Sequence, residues 1–413
     1  MATPRAPRAA PTWTFAARFR RGAFGWKSDL AIQRLDEAAA EIRAMVRKDP
    51  VLAADGAVRL IEKLSPAFEN VDDSSGRLQA VISEVFEEFV PLIGTVEVAP
   101  KTRTAWLERL WQARADDQIP WIERLGDHWG TLCGSPEVAS VWADELLPGL
   151  RAAWAPGAKG HGWYSGTMPC LSCLYAAGRH AELLVLLESP QTHGWWDYHR
   201  WGVKALLDHG HRHEALAIAE RCYQQGRYRY EAARTCESIL IDLGQRELAY
   251  RQYAFEANWA NTNLGTLKAL AAKYPEKDKA RILTDLVDAN PGSEGKWFAA
   301  AKSAGLFDVA LKLARSSPTE PRTLARAARD FATKQPAFAL EAGLLALGWM
   351  TRGYGYEVSS RDVAMAWEAC LAAGKASGLR AEDVRDRALA LCDGTSGAEQ
   401  FVRVEIRLAA GSD

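Results

Sequence analysis

The sequence lacks the signatures of several large classes of protein. Its 413 residues contain no apolar run of the roughly 20 residues that a membrane-spanning helix needs. The N-terminus has no apolar core of the secretory type. The seven cysteines are an odd and thinly spread set, which suits reduced thiols better than a disulfide framework. We therefore expect a cytoplasmic protein that does not enter the membrane.

Motifs of catalysis are missing as well. The chain has no GxxxxGK[ST] phosphate loop, no GxGxxG after a strand, no HExxH helix and no GxSxG nucleophile turn. The first 90 residues do not alternate between apolar and polar side chains for long enough to predict a strand. We predict an all-α protein that is not an enzyme and holds no cofactor. An enzyme with a helical lid or a metal-dependent activity is the least favoured class.

Residues 29–154 have the periodicity of a block of helices. Apolar side chains recur at helical spacing after Asp29, which is placed to cap the first helix. The pair Asp49-Pro50 ends that helix and starts the next. This block has no recognisable repeat turn and is equally compatible with a HEAT-like arrangement. Further helices are predicted at about 105–115, 120–132 and 136–154.

Beyond a junction rich in glycine and proline, residues 155–169, a helix–turn–helix pattern recurs. The turns read AAGRHAELL (176–184), DHGHRHEAL (208–216), DLGQRELAY (242–250) and SAGLFDVAL (303–311), and their glycines lie 32, 34 and 61 residues apart. The longest gap holds a further turn with Pro275 in place of glycine, and a sixth unit turns near residues 333–340. A period of about 30–34 residues with two helices per unit is typical of an α-solenoid.

The turns resemble those of tetratricopeptide (TPR) repeats. That family has a glycine at the end of helix A and a small residue five positions later, where helix B begins and the two helices approach closely. Three pairs match: Gly210 with Ala215, Gly244 with Ala249, and Gly305 with Ala310. Because the repeat-ending proline and the Trp-x2-Leu-Gly signature are not preserved, the units are degenerate. The resemblance implies TPR-like repeats over 165–350, a right-handed superhelix of paired antiparallel helices, and a helical cap over 351–413.

Three further stretches resemble a family of uncharacterised bacterial helical proteins. They read FGWKSDLAIQRLDEAAAEI (24–42), DPVLAADGAVRLIEKLSPAFENVDDSSG (49–76) and GKWFAAAKSAG (295–305). This resemblance spans most of the chain and implies a bacterial cytosolic protein. It brings no assigned activity.

A basic and aromatic arm, residues 1–28, precedes an acidic body. The arm carries six basic and no acidic side chains, although the net charge of the whole chain is −1. We expect it to be partly disordered, to about residue 11. Its arginines and aromatic rings fit a nucleic-acid contact, a segment that folds onto a partner or onto the acidic body, or a tail whose aromatic end packs on the first helix. The nucleic-acid interpretation rests on Arg18, Arg20, Arg21 and Lys27.

Two clusters of potential metal ligands are better explained without a metal. His209, His211 and His213 alternate across a repeat turn, where polar residues are expected and three imidazoles would not converge on one ion. Cys170 and Cys173 lack the second pair of a zinc ribbon, and completing the set with His161 and His180 would give an unusual order. We predict no metal site, with the histidines in a solvated turn and the cysteines packed on a buried helix.

The 16 tryptophans are the strongest departure from ordinary composition. Most are expected to pack between helices, but those beside tyrosine and arginine on A-helices are placed to meet a partner, since A-helices line the concave face of TPR arrays. We predict a non-catalytic scaffold or adaptor that binds a protein or peptide there. A nucleic-acid-binding repeat protein that uses the arm is the alternative. The predicted partner-binding residues are Trp196, Tyr198, His199, Arg200, Tyr228, Arg229, Tyr230, Arg234, Trp259, Asn261 and Asn263.

Overall fold

A computed structural model of the chain describes residues 13–155, 157, 162–226 and 228–409. Within these ranges the secondary structure is helical, with no strand beyond an isolated bridge between Lys27 and Asp72. The all-α prediction is therefore confirmed. None of the helices in this described part of the chain is long and apolar enough to cross a membrane.

The helices α1–α10 fall before residue 226, and α11–α22 follow residue 228. The first set comprises α1 Ser28–Val46, α2 Pro50–Ala67, α3 Arg77–Thr95, α4 Pro100–Ala115, α5 Trp129–Cys133, α6 Pro136–Ala153, α7 Thr167–Ala176, α8 His180–Leu186, α9 Trp196–Asp208 and α10 Arg212–Gln225. The second comprises α11 Arg229–Asp242, α12 Arg246–Gln252, α13 Ala254–Ala257, α14 Asn263–Lys273, α15 Lys279–Asp288, α16 Phe298–Ser303, α17 Phe307–Ser316, α18 Pro321–Phe331, α19 Pro336–Thr351, α20 Ser360–Ala376, α21 Ala381–Leu389 and α22 Gly397–Ala409.

The chain divides into two compact units, Met1–Ala232 and Ala233–Asp413. In the first, α1 packs on α2 and α3, α5 on α7, α7 on α9, and α9 on α10. In the second, α14 packs on α15 and α16, α17 on α19, and α18, α19 and α20 on one another. The helices of these sets thus contact neighbours that lie one or two helices away in sequence. This is the packing of an α-solenoid, in which each helical pair covers the apolar face of the following one.

The four predicted glycine turns have one common geometry. Gly178, Gly210, Gly244 and Gly305 all adopt φ between 72° and 78°, a left-handed conformation that favours glycine. In each turn the N–H of the residue after the glycine donates to a carbonyl five residues earlier, as His211 does to Leu206 at 2.9 Å. This pattern is the Schellman motif, which satisfies the last carbonyls of a helix. The turn prediction is therefore confirmed.

The small residue of each matched pair is also where the sequence placed it. Ala215, Ala249 and Ala310 are fully buried at the start of the second helix of their pairs. The unit that has Pro275 turns between α14 and α15, and the sixth turns between α18 and α19. All six predicted helix pairs are therefore present.

Two local predictions in the N-terminal block are corrected. The helix expected at 120–132 is a 3-10 segment, Glu123–His128, followed by the short α5. Two glycines lie against α7 here: a Cβ at Gly126 would stand 2.9 Å from Pro169 and one at Gly130 would stand 2.3 Å from the carbonyl oxygen of Ser172. The two glycines therefore allow these segments to approach α7 closely. Asp29 is not a cap but lies in the first turn of α1, whereas Asp49 does cap α2 by accepting from the N–H of Leu52 at 2.9 Å.

Candidate functional site

The predicted partner-binding residues divide between the two units. Seven belong to the first unit, from Trp196 to Tyr230, and four to the second, from Arg234 to Asn263. Trp196 and His199 are only 6% and 7% exposed, so both pack inside the first unit. Little of either side chain is therefore available at the surface of that unit. Burial lowers the pKa of His199 to about 4, which keeps its imidazole neutral at neutral pH.

The neighbouring residues on α9 do reach the surface. Tyr198 is half-buried, with its ring centroid 5.5 Å from that of Trp154 and 5.9 Å from that of Trp195. Arg200 forms an ion pair with Asp127, Nη2 to Oδ2 at 2.9 Å, and its guanidinium lies 5.2 Å from the centre of the Trp201 ring. Neighbouring residues of this turn of α9 are therefore buried or at the surface, because residues one apart on a helix face different directions.

At the start of α11 the predicted aromatic residues are exposed. Tyr228 and Tyr230 are exposed by 41% and 37%, and Arg229 lies 4.5 Å from the centre of the Tyr223 ring. The Tyr228 ring centroid is 6.3 Å from that of Trp195. Tyr198, Trp195 and Tyr228 therefore form a row of aromatic rings in ring-to-ring contact on the surface of the first unit.

In the second unit, Arg234 lies within α11, and the other three predicted residues lie at the entry to α14. Trp259 is 54% exposed, Arg234 and Asn261 are exposed, and Asn263 is half-buried. Asn263 lines a pocket of about 290 Å³ together with residues near the starts of α16 and α18.

A larger cleft, of about 610 Å³, lies beside Tyr198 in the first unit. It is bordered by the end of α4 and the loop after it, by residues 163–168 at the start of α7, and by α9. The starts of the first helices of two successive repeats thus meet the N-terminal block at this point. We call it the aromatic cleft, and four rings line it: Trp111, Trp163, Tyr164 and Tyr198.

Packing fixes the position of two of these rings. Tyr164 lies between Gly149 and Gly166, where an added Cβ would come within 2.7 Å and 2.5 Å of its ring. Trp111 packs against Trp129 and Trp142, with ring centroids 5.3 and 5.4 Å away. These contacts hold the walls rigid, whereas Trp163 at the rim is 73% exposed.

The cleft also contains an arginine, Arg114, together with two acidic residues of its lining, Asp117 and Glu123. Arg114 donates from Nη2 to the carbonyl of Ser165 and lies 5.7 Å from the centre of the Trp111 ring. It forms no ion pair with any residue in the described ranges, and its buried Nε has no hydrogen-bond partner there. Burial lowers the pKa of its guanidinium, although arginine remains charged at neutral pH.

Two more polar atoms of the cleft lining are buried without a partner among the described residues. They are Oδ1 of Asp117 and Oγ1 of Thr167. The other carboxylate oxygen of Asp117 accepts from the N–H of Ile122 at 2.8 Å, and burial raises the pKa of this carboxyl group. Unsatisfied buried polar groups are costly and scarce in folded proteins. Three such atoms therefore belong to residues that line this one cleft.

Sequence reasoning missed Arg114, Tyr164 and Asp117. The tryptophan count drew attention to Trp111 and Trp163, but the residues of α4 and of the junction are more than 25 positions from α9 in sequence. The available signal was the junction itself, where Trp163 and Tyr164 stand among four glycines. A glycine next to an aromatic residue can indicate a backbone that a ring approaches closely.

The histidine and cysteine clusters are arranged as ordinary structure. His209 contacts the carbonyl of Ala205 at 2.9 Å and His211 contacts Glu214 at 3.0 Å, so each imidazole has its own local partner. Cys170 and Cys173 are fully buried, as predicted. Across the described residues, no group of three or more potential ligands is arranged to hold a metal. His161, which would complete the cysteine pair, lies outside those residues.

The described part of the basic arm folds onto its own chain. Trp13, Phe15, Phe19 and Phe24 are buried against α1 and α2. The predicted disorder to about residue 11 falls outside the described residues.

Two of the arm's candidate nucleic-acid contacts are engaged with acids. Arg18 pairs with Glu37 at 2.7 Å and Arg21 pairs with Glu69 at 3.3 Å. A phosphate would have to displace these carboxylates, so the arrangement does not favour the nucleic-acid alternative. Arg20 and Lys27 are exposed.

Comparison with known proteins identifies no relative that carries a function. No protein-family model matches the chain, and no curated protein is similar to it. Among solved structures, a circular tandem repeat protein with novel repeat topology and enhanced subunit contact surfaces is similar over 93% of this chain and 91% of that chain, at 13% identity and a TM-score of 0.21. A TM-score this low carries no argument about fold or function.

Proposed function

We propose that this chain is a non-catalytic adaptor that binds an extended segment of a protein partner in the aromatic cleft. The supporting observation is the combination of four aromatic walls with Arg114, whose buried Nε has no hydrogen-bond partner among the described residues. Tryptophan, tyrosine and arginine are the residues on which interface energy concentrates. The rings of Trp195 and Tyr228 extend the surface beyond Tyr198, and such a surface suits a chain with one anchoring side chain.

In this proposal the anchor enters between Trp111 and Tyr164 and the flanking peptide crosses Tyr198 and Trp195. Arg114 donates a hydrogen bond to a backbone carbonyl of the partner. Trp163 covers the anchor from the rim. The repeats are TPR-like units of a bacterial cytosolic protein, and their first helices supply the binding surface.

The experiment is selection of a random peptide library displayed on phage against the purified full-length chain. We expect enrichment of peptides with a shared apolar or aromatic anchor. The Trp163→Ala variant should weaken the enriched peptide at least about 30-fold, since truncating an anchoring tryptophan costs roughly 2 kcal/mol or more. Trp163 makes no ring contact among the described residues, so the variant should melt as the wild type does.

Trp26→Ala is the matched control. Trp26 is also 73% exposed but lies on the arm and does not line the cleft. Equal loss of peptide in both variants would mean that exposed tryptophans bind nonspecifically. Unchanged affinity in Trp163→Ala, or a library without a consensus, would rule out the cleft as the binding site.

A further inference from the structure

The second unit contains an apolar slot that no part of the proposed function uses. It has a volume of about 390 Å³ and lies between α19, the end of α17 and the segment from α21 to residue 391. Pockets that hold small ligands have volumes of roughly 300–1,000 Å³, with a mostly apolar lining and a few polar groups. The apolar lining consists of Leu344, Leu345, Trp349, Ala390 and Leu391.

The charged groups around this slot do not balance. Three arginines, Arg315, Arg352 and Arg387, line it with a single carboxylate, that of Glu341. Arg315 contacts Glu341 at 2.7 Å, and Arg387 bonds to its other oxygen. Both oxygens of the one acid are therefore taken, and the lining has a net charge of +2.

Arg352 is the third arginine of the slot and is not paired with Glu341. Its guanidinium lies 4.7 Å from the centre of the Trp349 ring, which positions it at the edge of the slot. No ion pair joins it to any residue in the described part of the chain. Stacking on an indole leaves the N–H groups in the guanidinium plane available, and that planar set of donors matches the two oxygens of a carboxylate.

A glycine keeps the slot open. Gly348 stands in the last turns of α19, where glycine is less favourable than alanine for the helix. Neither φ nor crowding requires it, because a Cβ there would meet only the methyl carbons of Leu391 at 3.9 Å, an ordinary contact. Its absent side chain therefore adds space to the slot, a feature that helix stability alone does not explain.

We propose that this slot binds a small amphipathic carboxylate, with its apolar body over Gly348 and Leu391 and its carboxylate on Arg352. The occupant is inferred from charge complementarity: an apolar lining with a net charge of +2 requires an apolar ligand with an anionic end. This site is independent of the aromatic cleft, because the two lie in different units and share no residue.

The experiment is isothermal titration calorimetry of the full-length chain with three ligands of one chain length. Sodium decanoate should bind with a stoichiometry of one, and decyltrimethylammonium should not bind. Decyl phosphate should bind as well, because the guanidinium fork matches phosphate oxygens as it does those of a carboxylate. Decyltrimethylammonium binding as tightly as decanoate, decyl phosphate alone binding, or no decanoate binding would each overturn the proposal.

Variants separate the head-group contact from the apolar contact. Arg352→Gln should weaken decanoate about tenfold, since a hydrogen bond to a charged group is lost. Gly348→Met should abolish binding while the melting temperature stays at or above that of the wild type, because methionine favours helix more than glycine does. This result cannot be attributed to unfolding.

Arg326→Gln is the matched control, since Arg326 is an exposed arginine of the same unit that does not line the slot. It should leave decanoate affinity unchanged. Decanoate binding that persists in Gly348→Met, or that falls equally in Arg326→Gln and Arg352→Gln, would overturn the assignment of the slot.

Discussion

Replacing Gly56 with alanine should destabilise this protein, although the same change usually stabilises a helix. Gly56 lies inside α2, where alanine is favoured over glycine by about 0.5–1 kcal/mol. The Trp13 ring of the arm lies over it: a Cβ at residue 56 would stand 2.3 Å from Cζ2 and 2.6 Å from Cε2 of that ring. Overpacking of this kind costs about 1–3 kcal/mol. We expect Gly56→Ala to lower the free energy of unfolding by about 1 kcal/mol.

The sign should reverse when the ring is absent. Trp13 is 6% exposed, and truncating a buried tryptophan to alanine costs about 3–5 kcal/mol. In the Trp13→Ala background, Gly56→Ala meets no ring and should stabilise α2 by up to about 1 kcal/mol. The two changes therefore have a coupling energy of about 2 kcal/mol, which a double-mutant cycle measures.

Two assays test this prediction. Urea unfolding monitored by circular dichroism gives the four free energies of the cycle. Limited trypsin digestion with mass spectrometry gives the cleavage rate after Arg18, Arg20 and Arg21, which reports release of the arm. Gly56→Ala should weaken attachment of the arm by this coupling energy of about 2 kcal/mol. Cleavage should then accelerate roughly 30-fold when opening of the arm is fast relative to cleavage. If Gly56→Ala stabilises the protein equally in both backgrounds, Trp13 does not pack on α2 and the described arm contact is wrong.

Two further predictions concern buried polar groups. The pKa of His199 is lowered from 6.5 to about 4, so the unfolded chain binds a proton at a higher pH than the folded chain does. The free energy of unfolding should therefore fall by about 3 kcal/mol as the pH drops from 6.5 to 4. His199→Phe should flatten this slope in urea titrations at pH 7 and pH 5, and an unchanged slope would contradict the assignment. The fully buried Glu237 accepts hydrogen bonds from Tyr274 and Lys273, each at 2.7 Å, so Glu237→Ala should cost about 3 kcal/mol in thermal unfolding. Glu237→Gln keeps an acceptor for the Tyr274 hydroxyl and should cost less; equal losses would show that the hydrogen bond contributes nothing.

Much of the repeat architecture could be predicted from local sequence, because its determinants are local. A left-handed glycine and a small residue five positions on specify a helix–turn–helix by backbone sterics and close approach, whatever surrounds them. The turns at Gly210 and Gly244 therefore formed where the sequence placed them. Helical periodicity likewise predicted the long helices, since it records which face each helix buries.

The features that the sequence did not predict depend on contacts between segments that are distant in sequence. Trp196 and Tyr198 are two residues apart with similar chemistry, yet one is buried and the other borders the cleft. Periodicity gives the direction of a side chain relative to its own helix, but which direction is covered depends on the neighbouring helices. The arm is a similar case: its arginines are compatible with phosphate binding and with a contact to the acidic body, and only the structure places Glu37 and Glu69 beside them.

The sequence by itself determined the helical class, the six paired turns and the scarcity of catalytic motifs. Only the tertiary structure decided where a ligand could bind. Arg114 and Tyr198 line one cleft, and Arg352 and Arg387 line one slot, through folding of segments distant in sequence. A helical turn is specified by interactions within a few residues, whereas a cleft is the space left between helices. That space depends on how whole faces pack, and no short stretch of sequence records it.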